Sequence, residues 1–180
     1  AGGGRAWSVY EGGTGEICAR VDKGELGPVQ SLFFGSGRIC QSRQVKVGTH
    51  YRLYAALCAR PGGNRVIYSD DFGQTWHALG SIDVSPAPGG DEPKCEELPD
   101  GRVILSSRCH GGRQLNIFTY TDVATAAGSW GTVATSNASN SGTIAENNAT
   151  NGEILILPVT RLADNKDMYL ALQSVPFGGG

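Results

Sequence analysis

A glutamate and an arginine stand at the two ends of a predicted β-hairpin, and their chemistry makes them candidate functional residues. Glu92 lies directly before Pro93, and Arg108 ends the returning strand sixteen residues later. The turn between the strands spans residues 98–101 (LPDG), in which proline presets φ and glycine tolerates positive φ. A guanidinium offers two parallel N–H donors and stays charged at any working pH, so Arg108 is suited to bind a carboxylate.

Both residues also have simpler explanations. Glu92 can be a solvated carboxylate in a loop, and Arg108 can be a strand-end arginine that pairs with a neighbouring acid. Two further glutamates, Glu96 and Glu97, fall within the predicted strand rather than before it. Position in the hairpin therefore leaves both explanations of Glu92 and Arg108 open.

A second motif lies upstream, where residues 69–76 (SDDFGQTW) fit the pattern S-x-D-x-G-x-T-W. The spacing predicts a hairpin turn in which Gly73 takes positive φ, Asp71 accepts backbone N–H bonds and Trp76 packs back on the sheet. The pattern resembles the Asp box, a turn carried by sialidases and by some other β-propellers. It therefore indicates a fold rather than a reaction.

Three segments of the chain are versions of one strand, each following a polar turn and ending in arginine. They are residues 51–60 (YRLYAALCAR), 101–108 (GRVILSSR) and 152–161 (GEILILPVTR), so the final arginines are 48 and 53 residues apart. A period near 50 with four short strands per unit is typical of β-propeller blades. Helices are hardly indicated, and one turn is predicted around residues 123–128. The sequence thus predicts an all-β fold.

The number of blades indicates a piece of a larger domain. At about 50 residues per blade the chain supplies about three to four blades, whereas closed propellers use about four to eight. We expect blade-like repeats near residues 33–80, 90–135 and 145–180 of a partial propeller spanning residues 1–180. A small independent β-sandwich is the alternative.

The segment from Glu92 to Arg108 resembles the part of bacterial exo-α-sialidases that carries the catalytic glutamate and one carboxylate-binding arginine. Its sequence is most similar to those of sialidases from gut Bacteroides-type bacteria, and the resemblance covers approximately residues 33–180. It implies a six-bladed β-propeller of which this chain is an internal segment. The implied activity is hydrolysis of terminal sialic acid from glycoconjugates.

The resemblance also implies a mechanism and residue roles. Sialidases retain configuration and use a tyrosine nucleophile, which has an ordinary pKa of about 10 and needs a base. Glu92 takes the position of that base, and Arg108 takes one position of a three-arginine clamp on the substrate carboxylate. The family pattern argues against completing the clamp with Arg60 or Arg161. The aspartate acid, the tyrosine nucleophile and the other arginines are expected outside this chain, which alone should be inactive.

Two alternatives share these features. A non-catalytic carbohydrate-binding propeller module would carry the same turn motif, and a trans-sialidase would carry the same catalytic groups while transferring sugar to an acceptor. Linkage preference is not indicated by any residue.

The composition limits which classes of binding partner are favoured. The 180 residues carry a formal net charge of −2 with 18% charged and 39% hydrophobic residues, so neither nucleic acid nor an anionic membrane is favoured electrostatically. No apolar run approaches the roughly 20 residues of a membrane span. We expect sialylated glycans as partners, no cofactor and no metal, and a secreted or periplasmic location.

Cysteine and histidine patterns give no sign of a metal site. Five cysteines are an odd number without a C-x-x-C pair, so we expect most to be buried free thiols in strands. His50, His77 and His110 stand alone and are interpreted as structural.

Overall fold

The fold was examined in a computed structural model, which describes residues 31–35, 37–110, 112–136 and 152–174. Within these ranges the chain forms strands and turns and no helix. The strands are β1 (Ser31–Phe34), β2 (Cys40–Val47), β3 (His50–Arg60), β4 (Gly63–Ser69), β5 (His77–Ala78), β6 (Gly90–Glu97), β7 (Val103–Cys109), β8 (Gly112–Asp122), β9 (Ala127–Trp130), β10 (Ala134–Ser136), β11 (Ile154–Arg161) and β12 (Lys166–Gln173).

The first sheet is an antiparallel meander with four strand positions. β3 pairs with β4, and β4 pairs with β5. β1 and β2 both pair with the other edge of β3, β1 along its C-terminal part and β2 along its N-terminal part. They therefore occupy one strand position that is interrupted between Phe34 and Cys40.

The second sheet repeats this plan with the interruption at its other edge. β6 pairs with β7 and β7 with β8, while β9 and β10 pair with successive parts of β8. A third unit is the β11–β12 hairpin, in register from Ile154 opposite Gln173 to Arg161 opposite Lys166. Successive four-position meanders are the arrangement of propeller blades, and the prediction of an all-β fold forming part of a β-propeller is confirmed.

The predicted repeat coincides with three strands of the structure. Residues 51–60, 101–108 and 152–161 correspond to β3, β7 and β11, and β3 and β7 hold the same second position in their sheets. Residues 53–59 of the first segment form a continuous apolar run, which suits a strand that is buried on both faces of its sheet. Alternate residues of β3 belong to two different clusters, Tyr54 and Ala56 to one and Ala55 and Leu57 to the other.

The main core lies between the first and second sheets. Tyr54 and Val66 from the first sheet pack in one cluster with Val103, Leu105 and Phe118 from the second. The last three side chains are fully buried, and each contributes about 1.5–3 kcal/mol by leaving water. This shared core holds β6 of the second sheet against β3 of the first.

A polar cluster closes one end of the same interface. Arg52 is fully buried and forms a two-pronged ion pair with Asp70, at 2.7 and 2.8 Å. Its guanidinium lies over the ring of Tyr68, and the hydroxyls of Tyr54 and Tyr120 meet at 2.8 Å across the two sheets. Arg52 and Arg60 stand at opposite ends of β3, so this cluster lies about 26 Å from the Arg60 end.

The turn between β4 and β5 has the geometry that its sequence predicts. Gly73 has φ of 88°, and Asp71 Oδ1 accepts a hydrogen bond from the Thr75 backbone N–H at 2.8 Å. Trp76 is buried in the same cluster as Ala55 and Leu57. Ser69 Oγ also accepts the Gly73 N–H at 2.8 Å. Partial burial acts to raise the pKa of Asp71, but hydrogen bonds from Thr75 and Ser69 outweigh it and lower this pKa to about 2.

The predicted turn after β8 is present over residues 123–126. Asp122 accepts hydrogen bonds from the Ala124 backbone N–H at 3.0 Å and from the Thr125 hydroxyl at 2.7 Å. Asp122 thus organises this turn much as Asp71 organises the earlier one.

The described cysteines are buried free thiols, which confirms the prediction for them; they are Cys40, Cys58, Cys95 and Cys109. Cys18 lies outside the described residues. In the described ranges, His, Cys, Asp and Glu side chains do not assemble into a group of three or more that could hold a metal ion. No helix of sufficient length and apolarity to cross a membrane occurs in this part of the chain.

Candidate functional site

A β-bulge brings the candidate residues of β6 and β7 together. Gly90 lies opposite Cys109 and Pro93 lies opposite Ser107, so the register shifts between these two pairs. Two residues of β6, 91 and 92, therefore face one residue of β7, Arg108. In a regular strand successive side chains point to opposite faces, and the bulge is what allows both carboxylates to approach the same guanidinium.

The distances show an unequal sharing of Arg108. Its Nη1 donates to Glu92 Oε2 at 3.0 Å, while Asp91 Oδ2 lies 3.9 Å from the same nitrogen. The side chains of Arg108, Glu92 and Asp91 are 41%, 30% and 34% exposed, so an external ligand can reach all three. The contact between Glu92 and Arg108 also fits the simpler explanation of Arg108 as an arginine paired with a neighbouring acid. Their roles therefore belong to the proposal made below.

Arg60 enters the same cluster from the neighbouring sheet. Its Nη2 donates to Asp91 Oδ1 at 2.7 Å, and its guanidinium lies 5.6 Å from the centre of the Phe33 ring. The Cys58 thiol also faces Asp91 Oδ1, at 3.8 Å. The four charged groups form a chain of alternating sign across the junction of the two sheets, in the order Arg60, Asp91, Arg108, Glu92.

Arg161 has a different setting from the two arginines that share its place in the repeat. It pairs with Asp164 through two contacts of 2.7 and 2.5 Å across the turn that follows β11. Both partners are about half exposed. This ion pair is local to the β11–β12 hairpin.

Gly90 has a steric reason to be glycine at the start of the bulge. A Cβ on this residue would overlap the Asn64 side-chain nitrogen and the Ser107 hydroxyl. Asn64 is fully buried and donates to Ser107 Oγ, which links β4 to β7 beneath the bulge. Asn64 and Ser107 therefore leave room only for glycine at position 90, where the regular pairing of β6 with β7 is interrupted.

Two buried cations lie near the candidate glutamate. Lys94 is two residues further along β6, and Arg113 lies opposite Arg108 on β8; both are nearly inaccessible to solvent. Burial lowers the pKa of each, and nearby carboxylates, Glu92 and Glu153 among them, act in the opposite direction. They add positive charge to the electrostatic field around Glu92.

An apolar cavity of about 160 Å³ adjoins the same strand. Phe34, Ala55, Pro93 and Cys95 contribute to its walls between the first and second sheets. Glu92 and Arg108 do not line it, so it is a neighbour of the charged cluster rather than part of it.

The sequence missed two members of the cluster and its geometric cause. Asp91 was adjacent to Glu92 in the sequence, but adjacent residues of a strand normally face apart. Arg60 was not assigned to the carboxylate clamp, because the sialidase pattern argues against completing the clamp with it. The repeat did contain a signal, since Arg60 and Arg108 close equivalent strands of neighbouring blades.

Comparison with known proteins gives one local similarity in sequence and a wider one in structure. No protein-family model matches the chain. A sialidase of Micromonospora viridifaciens is 38% identical over 84 residues, which is 44% of this chain and 12% of that protein. The crystal structure of the intramolecular trans-sialidase from Ruminococcus gnavus in complex with oseltamivir carboxylate superposes with a TM-score of 0.50 at 22% identity, over 79% of this chain and 27% of that one.

These similarities support a relationship of the chain to the sialidase family. The local identity carries the relationship, and the structural superposition shows that the chain shares the fold of part of the trans-sialidase. The chain spans a small part of either protein. Similarity to Bacteroides-type sialidases in particular stays a prediction.

Proposed function

We propose that this chain is part of an exo-α-sialidase that releases terminal sialic acid from glycoconjugates with retention of configuration. The observation that carries the proposal is the Glu92–Arg108 contact of 3.0 Å at the bulge, within a chain related to sialidases. Sialylated glycans are the proposed partners, a secreted or periplasmic enzyme would meet them, and the reaction calls for no cofactor.

Arg108 is proposed to bind the substrate carboxylate. Among the described contacts, Glu92 and Asp91 approach only its Nη1, which leaves Nη2 and Nε to donate to a ligand. A guanidinium binds a carboxylate most strongly through two parallel N–H donors. Partial exposure of the side chain gives a sugar acid access to those donors.

Glu92 is proposed to act as the base for the nucleophile. Sialic acid carries a carboxylate on its anomeric carbon, so a charged nucleophile is repelled and a neutral phenol is not. The tyrosine must lose its proton as it attacks, and Glu92 would accept that proton while its contact with Arg108 holds it in place. An aspartic acid would protonate the leaving oxygen; that residue, the tyrosine and the remaining clamp arginines are proposed to lie outside this chain.

The test uses the complete gene product and a fluorogenic α-sialoside. Glu92→Gln keeps the size and polarity of the side chain but cannot accept the proton, so we expect kcat to fall by about 10²–10⁴-fold. Asp100→Asn is the matched control, since Asp100 is an exposed acid on the turn of the same hairpin and pairs with Arg102. An undiminished rate in Glu92→Gln would remove the base assignment.

A trans-sialidase is the second candidate, because the structural neighbour is an intramolecular trans-sialidase. Products distinguish the two, since a hydrolase gives free sialic acid and a transferase gives sialylated acceptor when acceptor sugar is present. A non-catalytic binding module is the third hypothesis, and it predicts heat of binding with sialyllactose but no release of sugar.

A further inference from the structure

Asp91 lies between two arginines and is held mainly by one of them. Its Oδ1 accepts from Arg60 Nη2 at 2.7 Å and faces the Cys58 thiol at 3.8 Å. Its Oδ2 is 3.9 Å from Arg108 Nη1, beyond hydrogen-bond distance. Asp91 therefore forms a hydrogen-bonded ion pair with Arg60 and only a longer-range ion pair with Arg108.

The bulge makes Asp91 a competitor for the guanidinium that the substrate needs. Residues 91 and 92 both face Arg108, and a carboxylate offers a guanidinium the same two acceptors as a sialic acid carboxylate does. A small movement of Oδ2 would bring Asp91 into direct contact with Arg108. Two carboxylates would then contact Nη1 and neutralise the guanidinium, which would weaken the binding of an external carboxylate at Nη2 and Nε.

Arg60 is placed to prevent that movement. It comes from the neighbouring sheet and contacts Oδ1 of Asp91, whereas Arg108 faces Oδ2. Its guanidinium lies over the Phe33 ring, which restrains it. The Arg60 side chain is 56% exposed, and exposed ion pairs contribute little to folding stability. Its position is better explained by its effect on Asp91.

We propose that Arg60 is a positioning residue that, by pairing with Asp91, keeps the Asp91 carboxylate off Arg108 and so leaves Arg108 available to the carboxylate of the substrate. The inference rests on the proposed function of Arg108. It assigns Arg60 a part in ligand binding without contact to the ligand.

The experiment measures binding of N-acetylneuraminate, the free sugar acid, and of its methyl ester by isothermal titration of the complete gene product. Arg60→Met keeps the aliphatic stem and removes the charge, so Asp91 is released toward Arg108. We expect affinity for the acid to fall about three- to tenfold and affinity for the ester to change little. With the fluorogenic sialoside, KM should rise by the same factor while kcat stays within about twofold.

Removal of the competitor should reverse the loss. The double variant Arg60→Met/Asp91→Asn should return to within about twofold of the wild-type affinity, and Arg60→Lys should retain most of it. Arg102→Met is the matched control, an exposed arginine paired with Asp100 at 2.8 Å on the turn at the other end of β7; it should leave binding unchanged. Circular dichroism of each variant checks that the fold is retained.

Salt separates direct competition from a general field effect. At about 0.5 M salt the screening length falls to about 4 Å, which removes the long-range attraction of Arg60 for an anion but not contact between Asp91 and Arg108. A loss in Arg60→Met that persists at high salt supports the inference. A loss that disappears at high salt, or a double variant as weak as Arg60→Met, overturns it.

Arg108→Met is measured first, because it tests the proposed function separately. If it leaves binding of the acid unchanged, the assignment of Arg108 is wrong and the inference about Arg60 falls with it. If Arg108→Met weakens binding but Arg60→Met does not, the proposed function stands and only the inference is overturned.

Discussion

At the scale of single residues, the candidate site is a competition among charges for one guanidinium. Glu92 Oε2 lies 3.0 Å from Arg108 Nη1, whereas Asp91 Oδ2 lies 3.9 Å from the same nitrogen because Asp91 is paired with Arg60. All four side chains are partly exposed, so water screens the pairs and no single pair dominates. Such a site can admit a further carboxylate beside the internal pairs at modest cost.

Arg108→Lys is the substitution that tests the geometry of the clamp rather than its charge. Lysine keeps the positive charge but is a point donor and cannot form two parallel hydrogen bonds with a carboxylate. We expect KM for a fluorogenic sialoside to rise about tenfold, a free-energy loss of about 1.4 kcal/mol, with a smaller change in kcat. Arg102→Lys is the control, and equal KM values in the two variants would contradict a bidentate role.

At the scale of elements, the bulge in β6 and the turn after β4 are two departures from regular strand structure that named side chains hold in place. The bulge depends on Gly90, which allows Asn64 and Ser107 to approach the backbone. The turn depends on Asp71, whose two carboxylate oxygens accept from Thr75 at 2.8 and 2.7 Å. Each irregularity is held by specific side chains rather than by strand propensity.

Gly90→Ala should distort the bulge and the site together. The added methyl group overlaps the side chains of Asn64 and Ser107, and overpacking of this kind costs about 1–3 kcal/mol. We expect a lower midpoint of urea unfolding and weaker binding of N-acetylneuraminate. Gly131→Ala is the control, because its Cβ would meet Asn116 and Ile117 only at 3.5 Å; a Gly90→Ala protein that binds normally would show that the bulge does not position the site.

Asp71→Asn should remove a pH-dependent part of the stability of the β4–β5 turn. The pKa of Asp71 is about 2 in the folded protein against an ordinary 3.8. A lowered carboxyl pKa stabilises the fold fully above pH 3.8, and this contribution is lost as the pH falls toward 2. The melting temperature of the variant should therefore be lower than wild type at pH 7, with the gap narrowing as the pH falls from about 4 to 2. A gap that stays constant over this range would contradict the assignment.

At the scale of the whole molecule, the second sheet packs against the first sheet and also contacts the β11–β12 hairpin. The first and second sheets share an apolar core that includes Phe118. The junction of the second sheet with the β11–β12 hairpin includes hydrogen bonds, with Ser106 Oγ donating to Gln173 Oε1 at 2.6 Å and Arg113 donating to the Gly152 carbonyl at 3.4 Å. Ile154 and Ile156 of β11 are also buried. Apolar burial couples the first two sheets strongly, and at the second junction hydrogen bonds add a dependence on exact geometry.

Phe118→Ala tests whether the first two sheets form one cooperative unit. Phe118 is fully buried and contacts the rings of Tyr120 and Trp130, so its truncation should cost about 3–5 kcal/mol of unfolding free energy. Hydrogen exchange should show equal loss of protection in β3 and β7. The exposed Leu162 is the control, and Leu162→Ala should change stability by less than about 0.5 kcal/mol. Loss of protection confined to β7 and its neighbours would contradict a shared core.

Local patterns in the sequence were sufficient for the strands and turns that depend on nearby residues. The segment 51–60 anticipated β3, and the spacing in residues 69–76 anticipated the positive φ of Gly73 and the role of Asp71. Glu92 and Arg108 were named from the resemblance of their segment to sialidases, and the turn of their hairpin was recognisable from residues 98–101. These features involve contacts within one meander, so the chain order itself specifies them.

Only the tertiary structure decided which charges share the site. The bulge turns Asp91 to the same side as Glu92 against the normal alternation of a strand, and it forms where Asn64 of another sheet meets Gly90. Arg60 reaches Asp91 because the packing of an apolar core sets the first sheet beside the second. Sequence alone thus determined the β-strand repeat, the turns and two candidate side chains, whereas contacts between sheets, which no local spacing encodes, determined the electrostatic partners of those side chains.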